Sequence, residues 1–175
     1  MSGSSRDRWS GPSKNCSMKM AVLLVGKTRF PFVSAGMEVY RKRIPGYTGL
    51  EIKVIGDSGQ GRTSTGDEIA DRQADALLRI IKERDTVVLL DEKGGQYSSM
   101  EFASFVSRKL AGAAGSLLFV LGGAYGFSEK MYRRMNDSIS LSHMTFSHQI
   151  ARLVFMEQLY RAFTIIHGEP YHLGH

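Results

Sequence analysis

Cysteine is nearly absent from this chain: Cys16 is the only one in 175 residues. A disulfide framework is therefore excluded, and a reducing compartment fits better than secretion. Long apolar runs are missing as well. None approaches the ~20 residues that a membrane helix needs, so no membrane partner is expected. The common phosphate signatures are also lacking. A dinucleotide fold wants G-x-G-x-x-G after its first strand and an acidic residue about 20 positions on. Here the first turn, GKTRFP from Gly26, holds a single glycine. No G-x-x-x-x-G-K-[ST] stretch exists, and Gly122, Gly123 and Gly126 are followed by no positioned lysine. No Cys/His set has metal spacing, His167 with His172 coming nearest, so no metal is expected.

What remains is a soluble α/β pattern with a mild positive balance. Lys and Arg number 23 against 17 Asp and Glu, a formal charge of +6. Arg6, Arg8, Lys14 and Lys19 against Asp7 supply half of it. Such an excess is compatible with a polyanionic partner without demanding one. Residues 1–17 are Ser/Gly/Arg-rich with no hydrophobic period, and read as a disordered extension before one domain over 18–175. They lack the apolar core of a secretory signal. Cytoplasm is the expected site in a bacterium; the extension leaves a chloroplast or mitochondrion open.

The chain alternates strand and helix. Met18–Gly26 is a buried strand. A helix starts at Pro31, where a missing N–H costs nothing, and stops near Arg43 before Pro45-Gly46. Leu50–Ile55 alternates as a second strand, and a glycine-rich loop follows over 56–66. Thr65 with Glu68 is a capping box opening a helix to about Glu83, with Ile69, Leu77, Leu78, Ile80 and Ile81 placed for burial. Thr86–Asp91 is the third strand, ended by a turn at Glu92-Lys93-Gly94-Gly95. Ser98 with Glu101 caps a helix burying Phe102, Phe105, Val106 and Leu110. Leu117–Leu121 is a continuous apolar strand that breaks at Gly122-Gly123. A helix over Phe127–Asn136, a short strand over Ser138–Ser142 and a polar loop lead to a final helix near His148–His167. That helix is apolar nearly all round, so one face should meet the sheet and another a second copy of the chain.

This alternation predicts a mostly parallel sheet flanked by helices. Ligands in such sheets bind outside the carboxyl ends of the strands. Three of those ends are chemically unusual: Leu90-Asp91, Gly122-Gly123, and the run into LSHMTF. If the three strands are neighbours, their ends form one crevice. By elimination, it suits a neutral or zwitterionic ligand gripped by backbone groups.

Taken together, several segments carry a resemblance. LLDEKGGQYSS from Leu89, VLGGAYGFS from Val120, LSHMTFSHQIARLVFMEQLYRAF from Leu141 and the EPYH tail from Glu169 resemble the RlmH (YbeA-type) family of SPOUT-class methyltransferases. The first strand and EVYRKR from Glu38 fit too, so the resemblance covers about Met18 to His172. It implies a SPOUT α/β domain with a C-terminal trefoil knot, acting as a homodimer through its last helix. It implies S-adenosyl-L-methionine as cofactor, contacted by Leu90, Gly122, Leu141, Ser142, His143, Met144, Thr145 and Phe146. The implied reaction is N3-methylation of a pseudouridine in large-subunit ribosomal RNA, on the assembled ribosome. Candidate groups for the chemistry are His148, to take or relay a proton, and Arg152, to meet phosphate or uracil oxygen. Tyr171 and His172 are the tail's candidates, folded over the pocket or a base. Basic residues for RNA would include Arg29, Arg41, Lys42, Arg43, Arg133 and Arg134. Two other readings stay open: a non-catalytic ribosome-binding or assembly factor, and an α/β enzyme using another nucleotide. The chain departs from the family at Ser147, where proline is usual; serine there can cap the last helix.

Overall fold

The computed structural model describes residues 20–56 and 64–172. The proposed extension over 1–17 and most of the glycine-rich loop lie outside the described residues. The first four elements fall at the predicted places: β1 (Met20–Val25), α1 (Pro31–Arg43), β2 (Leu50–Ile55) and α2, which opens at Gly66 behind Thr65. The Thr65–Glu68 capping box is present in both directions. So is the one that joins Ser98 to Glu101 at the start of α3 (Ser99–Gly112). Each satisfies two backbone N–H groups that the first turn leaves without partners.

Four boundaries differ from the sequence reading. α2 ends at Leu78 rather than near Glu83, which leaves Ile80 41% exposed. The cause is Asp85, a buried carboxylate that accepts from Lys82 N–H and Ser116 N–H, each at 2.9 Å, and pulls the chain into a turn ahead of β3. β3 (Thr86–Gln96) does not stop at Asp91 but runs on through the expected glycine turn. The next helix, α4, is only Glu129–Arg134, because Asn136 is already bonded to Val87 through both backbone and side chain. β4 (Leu117–Leu121) falls as expected, while β5 is trimmed to Asp137–Ser140.

The sheet order is β2-β1-β4-β3-β5, all parallel. β1 and β4 are buried along their whole length. Alternate residues therefore face two separate cores, as the period of a strand requires. Met20, Val22 and Leu24 face Phe105, Phe155 and Phe163, under α1, α3 and the last helix α5 (His148–Ile166). Ala21, Leu23 and Val25 face Leu77 of α2 and Met131 of α4. β3 lies between β4 and β5, so the three unusual strand ends are neighbours. The chain leaves β5 at the sheet edge, yet Arg152 in α5 is bonded to Val25 and Gly26 at the end of β1. Residues 141–147 thus cross back over the carboxyl ends of β3 and β4.

α5 is flanked by α1 and α3. Its apolar residues outside the fully buried core, Ile150, Leu153, Tyr160, Ile165 and Ile166, are half-buried within one chain. No described helix is long and apolar enough to cross a membrane.

Candidate functional site

A cavity of about 660 Å³ lies where residues 141–147 cross the strand ends. Its walls come from the three predicted places: Leu90 and Asp91 where β3 passes the end of β4, the glycine turn after β4, and the chain from Ile139 of β5 onward. Bare backbone makes the turn's shape. Gly126 has φ +70°, a left-handed conformation that an L side chain adopts only with strain. A Cβ on Gly122 would sit 3.2 Å from the Phe127 ring, and one on Gly123 3.1 Å from Gln73. The opposite wall is held by short polar links: Ser140 Oγ donates to Ser142 O at 3.0 Å, and Ser142 Oγ accepts from Met144 N–H at 2.9 Å.

Leu90, Gly122, Leu141, Ser142, Met144, Thr145 and Phe146 all line this cavity; His143, exposed nearby, does not. His148 lines it from the first turn of α5. Ser147 caps that helix as expected, its Oγ accepting from Ile150 N–H at 3.3 Å.

Arg152 is the predicted site residue that the structure moves. Reasoned as a contact for phosphate or uracil, it is fully buried and absent from the cavity wall. Its Nη1 donates to Gly26 O at 3.0 Å and Thr28 Oγ1 at 2.9 Å, and its Nη2 donates to Val25 O. Burial pushes its pKa below the usual guanidinium value.

Tyr171 is also away from the cavity of its own chain. Its ring packs edge-on against Tyr160 at 4.9 Å, its hydroxyl reaches Glu157 at 3.4 Å, and the Arg161 guanidinium lies 4.9 Å from its centroid. Burial, then the Tyr40 hydroxyl, push the phenol up to about 12. Glu157 and Arg161 meet at 2.6 Å, one helical turn apart, and serve as the seat of this ring. His172 ends the short 3-10 turn Pro170–His172, and its side chain lies outside the described residues.

Sequence reasoning missed one pair. Tyr132 of α4 donates its hydroxyl to Asp91 Oδ2, while Asp91 Oδ1 accepts from Lys93 N–H at 2.8 Å. Both side chains belong to cavity-lining residues, so the bond ties two walls together. Burial, then Asp91, push the Tyr132 phenol up to about 12. Asp91 was legible as the first residue past the buried part of β3; nothing local marked Tyr132 as its partner. Among the described residues no group of three or more His, Cys, Asp or Glu is placed to hold a metal ion.

Of the six basic residues considered for RNA, five have side-chain partners. Arg41 and Lys42 pair with Glu38, Arg133 pairs with Glu129, and Arg43 lies over the Tyr160 ring. Arg134 donates to the carbonyls of Lys82 and Asp85. Arg29, exposed, has no ion pair, carbonyl or ring contact for its guanidinium among the described residues.

The comparisons with known proteins agree with this geometry. A relative from Porphyromonas gingivalis, called "Ribosomal RNA large subunit methyltransferase H", is 43% identical over 155 residues, covering 89% of this chain and 99% of its own. Proteins of the same name from Geobacter sulfurreducens and Cytophaga hutchinsonii are 42% and 41% identical over the same coverage. A crystal structure described only as that of a hypothetical protein shares the fold, with a TM-score of 0.51 at 12% identity over 85% of this chain and 68% of that one. The sequence model of the family described as "Predicted SPOUT methyltransferase" matches residues 18–172. A parallel five-stranded sheet, a backbone-built cavity across its strand ends and this match together make the chain a member of the SPOUT methyltransferase family.

Proposed function

We propose that this protein methylates N3 of a pseudouridine in large-subunit ribosomal RNA, using S-adenosyl-L-methionine, as a homodimer on the assembled ribosome. The observation that carries the reading is the cavity. Seven of the eight positions that the family resemblance assigns to the cofactor converge on one space of about 660 Å³, within the range of small-molecule sites. Relatives with about 40% identity over nearly their whole length carry the ribosomal RNA methyltransferase name.

The donor set fits that cofactor. Leu90, Leu121, Ile139, Leu141 and Phe146 offer apolar surface for a purine, and the turn at 122–126 offers backbone N–H and C=O. Asp91 and Glu92 give the cavity acidic groups suited to a cationic ligand. The cofactor supplies its own electrophilic methyl, so the protein's work is placement and proton handling.

His148 stands on the cavity wall at the start of α5 and is the group assigned to take or relay the N3 proton. The Asp91–Tyr132 bond holds β3 and α4 at a set spacing, which keeps the cavity's width. Arg152 acts indirectly, by holding the end of β1 against α5. Tyr171 rests beside Glu157 and Arg161. A homodimer built on α5 would let such a tail serve the cavity of the other copy. The crossing of residues 141–147 over β3 and β4 is the path that a trefoil threading would use.

The test is mass mapping of the modified nucleotide after ribosomes lacking the modification are incubated with protein and cofactor. A methyl on N3 of one large-subunit pseudouridine is expected. Saturable cofactor binding by calorimetry with no methyl transferred would favour the non-catalytic ribosome factor; no saturable binding would remove both readings.

A further inference from the structure

Much buried polar chemistry is spent on one short loop beside the cavity. Residues 26–30 join β1 to α1. The buried Arg152 donates to Gly26 O and Thr28 Oγ1 of this loop. Gln149, 4% exposed, grips it in both senses: its Oε1 accepts from Arg29 N–H at 2.8 Å, and its Nε2 donates to Lys27 O at 3.2 Å. Burying a guanidinium and an amide is costly unless they are bonded, and here the bonds converge on a single loop. The loop is thereby held rigid against the first turn of α5, and the residue before Gln149 is His148 on the cavity wall.

What the loop displays is unusual for a free surface. Phe30 and Phe32 are 45% and 60% exposed, with rings stacked at 5.6 Å and only 9° from parallel. Lys27 and Arg29 precede them, both exposed, and neither has a side-chain partner among the described residues. No acidic residue occurs between Met20 and Met37. Aromatic faces with adjacent cations match an unpaired nucleotide: any base has a π-face to stack, and its phosphates need positive charge. A second copy of this chain fits less well. At a two-fold contact centred here, Lys27 and Arg29 would meet their own copies.

We propose that the Phe30–Phe32 pair is a stacking platform for an unpaired RNA base next to the modified one, with Lys27 and Arg29 on the flanking phosphates. This rests on the RNA substrate proposed above and adds where the strand is gripped.

The experiment uses the full chain and a hairpin RNA carrying 2-aminopurine in its loop, whose emission falls when the base stacks. Wild-type protein is expected to quench it on binding. Phe30→Leu/Phe32→Leu keeps an apolar surface but removes the rings. It should bind at least about 10-fold more weakly and lose the quench, with cofactor binding by calorimetry and mass by light scattering unchanged. Lys27→Ala/Arg29→Ala should keep the quench at saturation and flatten the salt dependence by about 1.4 in log–log slope. Equal affinity and quench in the leucine variant would overturn the platform, as would wild-type binding without quench. A change of oligomeric state in that variant would overturn it too, giving the rings to a chain–chain contact. Wild-type protein that binds and quenches the hairpin but transfers no methyl to ribosomes would remove the methyltransferase reading alone.

Discussion

The two ends of α5 are built on opposite plans. At its start, Ser147 caps the helix and His148 and Ala151 border a cavity whose other walls mix glycine backbone, polar groups and apolar side chains such as Leu90 and Phe146. At its far end the space is filled by rings. Tyr47 stacks on Phe163 at 5.8 Å and meets His167 at 4.8 Å; Tyr160 meets Tyr171 at 4.9 Å; Tyr47 donates to Glu169. One end borders an open space, and the other is filled by its own side chains. Arg161 lies 13 residues past His148, about 20 Å at the helical rise. The groups proposed to hold the cofactor and the tail proposed to assist the chemistry are therefore separated within one chain by the helix that links them.

Four substitutions break or sharpen this contrast. The largest effect is expected at Gly94, where a Cβ would lie 2.6 Å from the Ile139 backbone. Gly94→Ala should push β5 from β3, cost on the order of 3 kcal/mol in chemical denaturation, and abolish cofactor binding by calorimetry. His172→Ala tests the far end. Its cofactor affinity should be unchanged while methyl transfer to ribosomes falls about 100-fold; transfer at the full rate would take the tail out of the mechanism.

Tyr132→Phe loosens the cavity end alone, losing a hydrogen bond to a carboxylate and about 2 kcal/mol of stability at neutral pH. The neutral phenol's contribution to folding is complete below pH ~10, the free tyrosine value, and is lost as pH rises toward about 12. The variant should accordingly show a flatter decline of stability above pH ~10. Ser147→Pro should matter least. Its φ of −61° suits the ring, so only the cap is lost, about 1 kcal/mol by thermal melt, with cofactor affinity within about threefold.

Legibility followed the range of the interaction. The pairs Thr65–Glu68 and Ser98–Glu101, and Ser147, announced helix starts because a cap is made by residues three apart, and Pro31 because its ring suits the first helical position. The end of β4 was legible because an apolar run stopping at Gly122-Gly123 is a local event. The continuation of β3 through Gly94-Gly95 was not, since it depends on pairing with Ile139 and Ser140 across the sheet. The shortened α2 depended on Asp85 reaching Ser116, and the Asp91–Tyr132 bond on α4 coming to rest beside β3.

By itself, then, the sequence determined the order of strands and helices, the three places along the chain that line the cavity, and the family. These rest on periodicity, caps and motifs that lie within a few residues of each other. Only the tertiary structure decided that Arg152 is a buried brace rather than a cavity residue, and that Tyr171 sits at the far end of α5 from His148. Those outcomes depend on partners far apart in the chain, and a side chain's role there is set by which surfaces the fold brings against it.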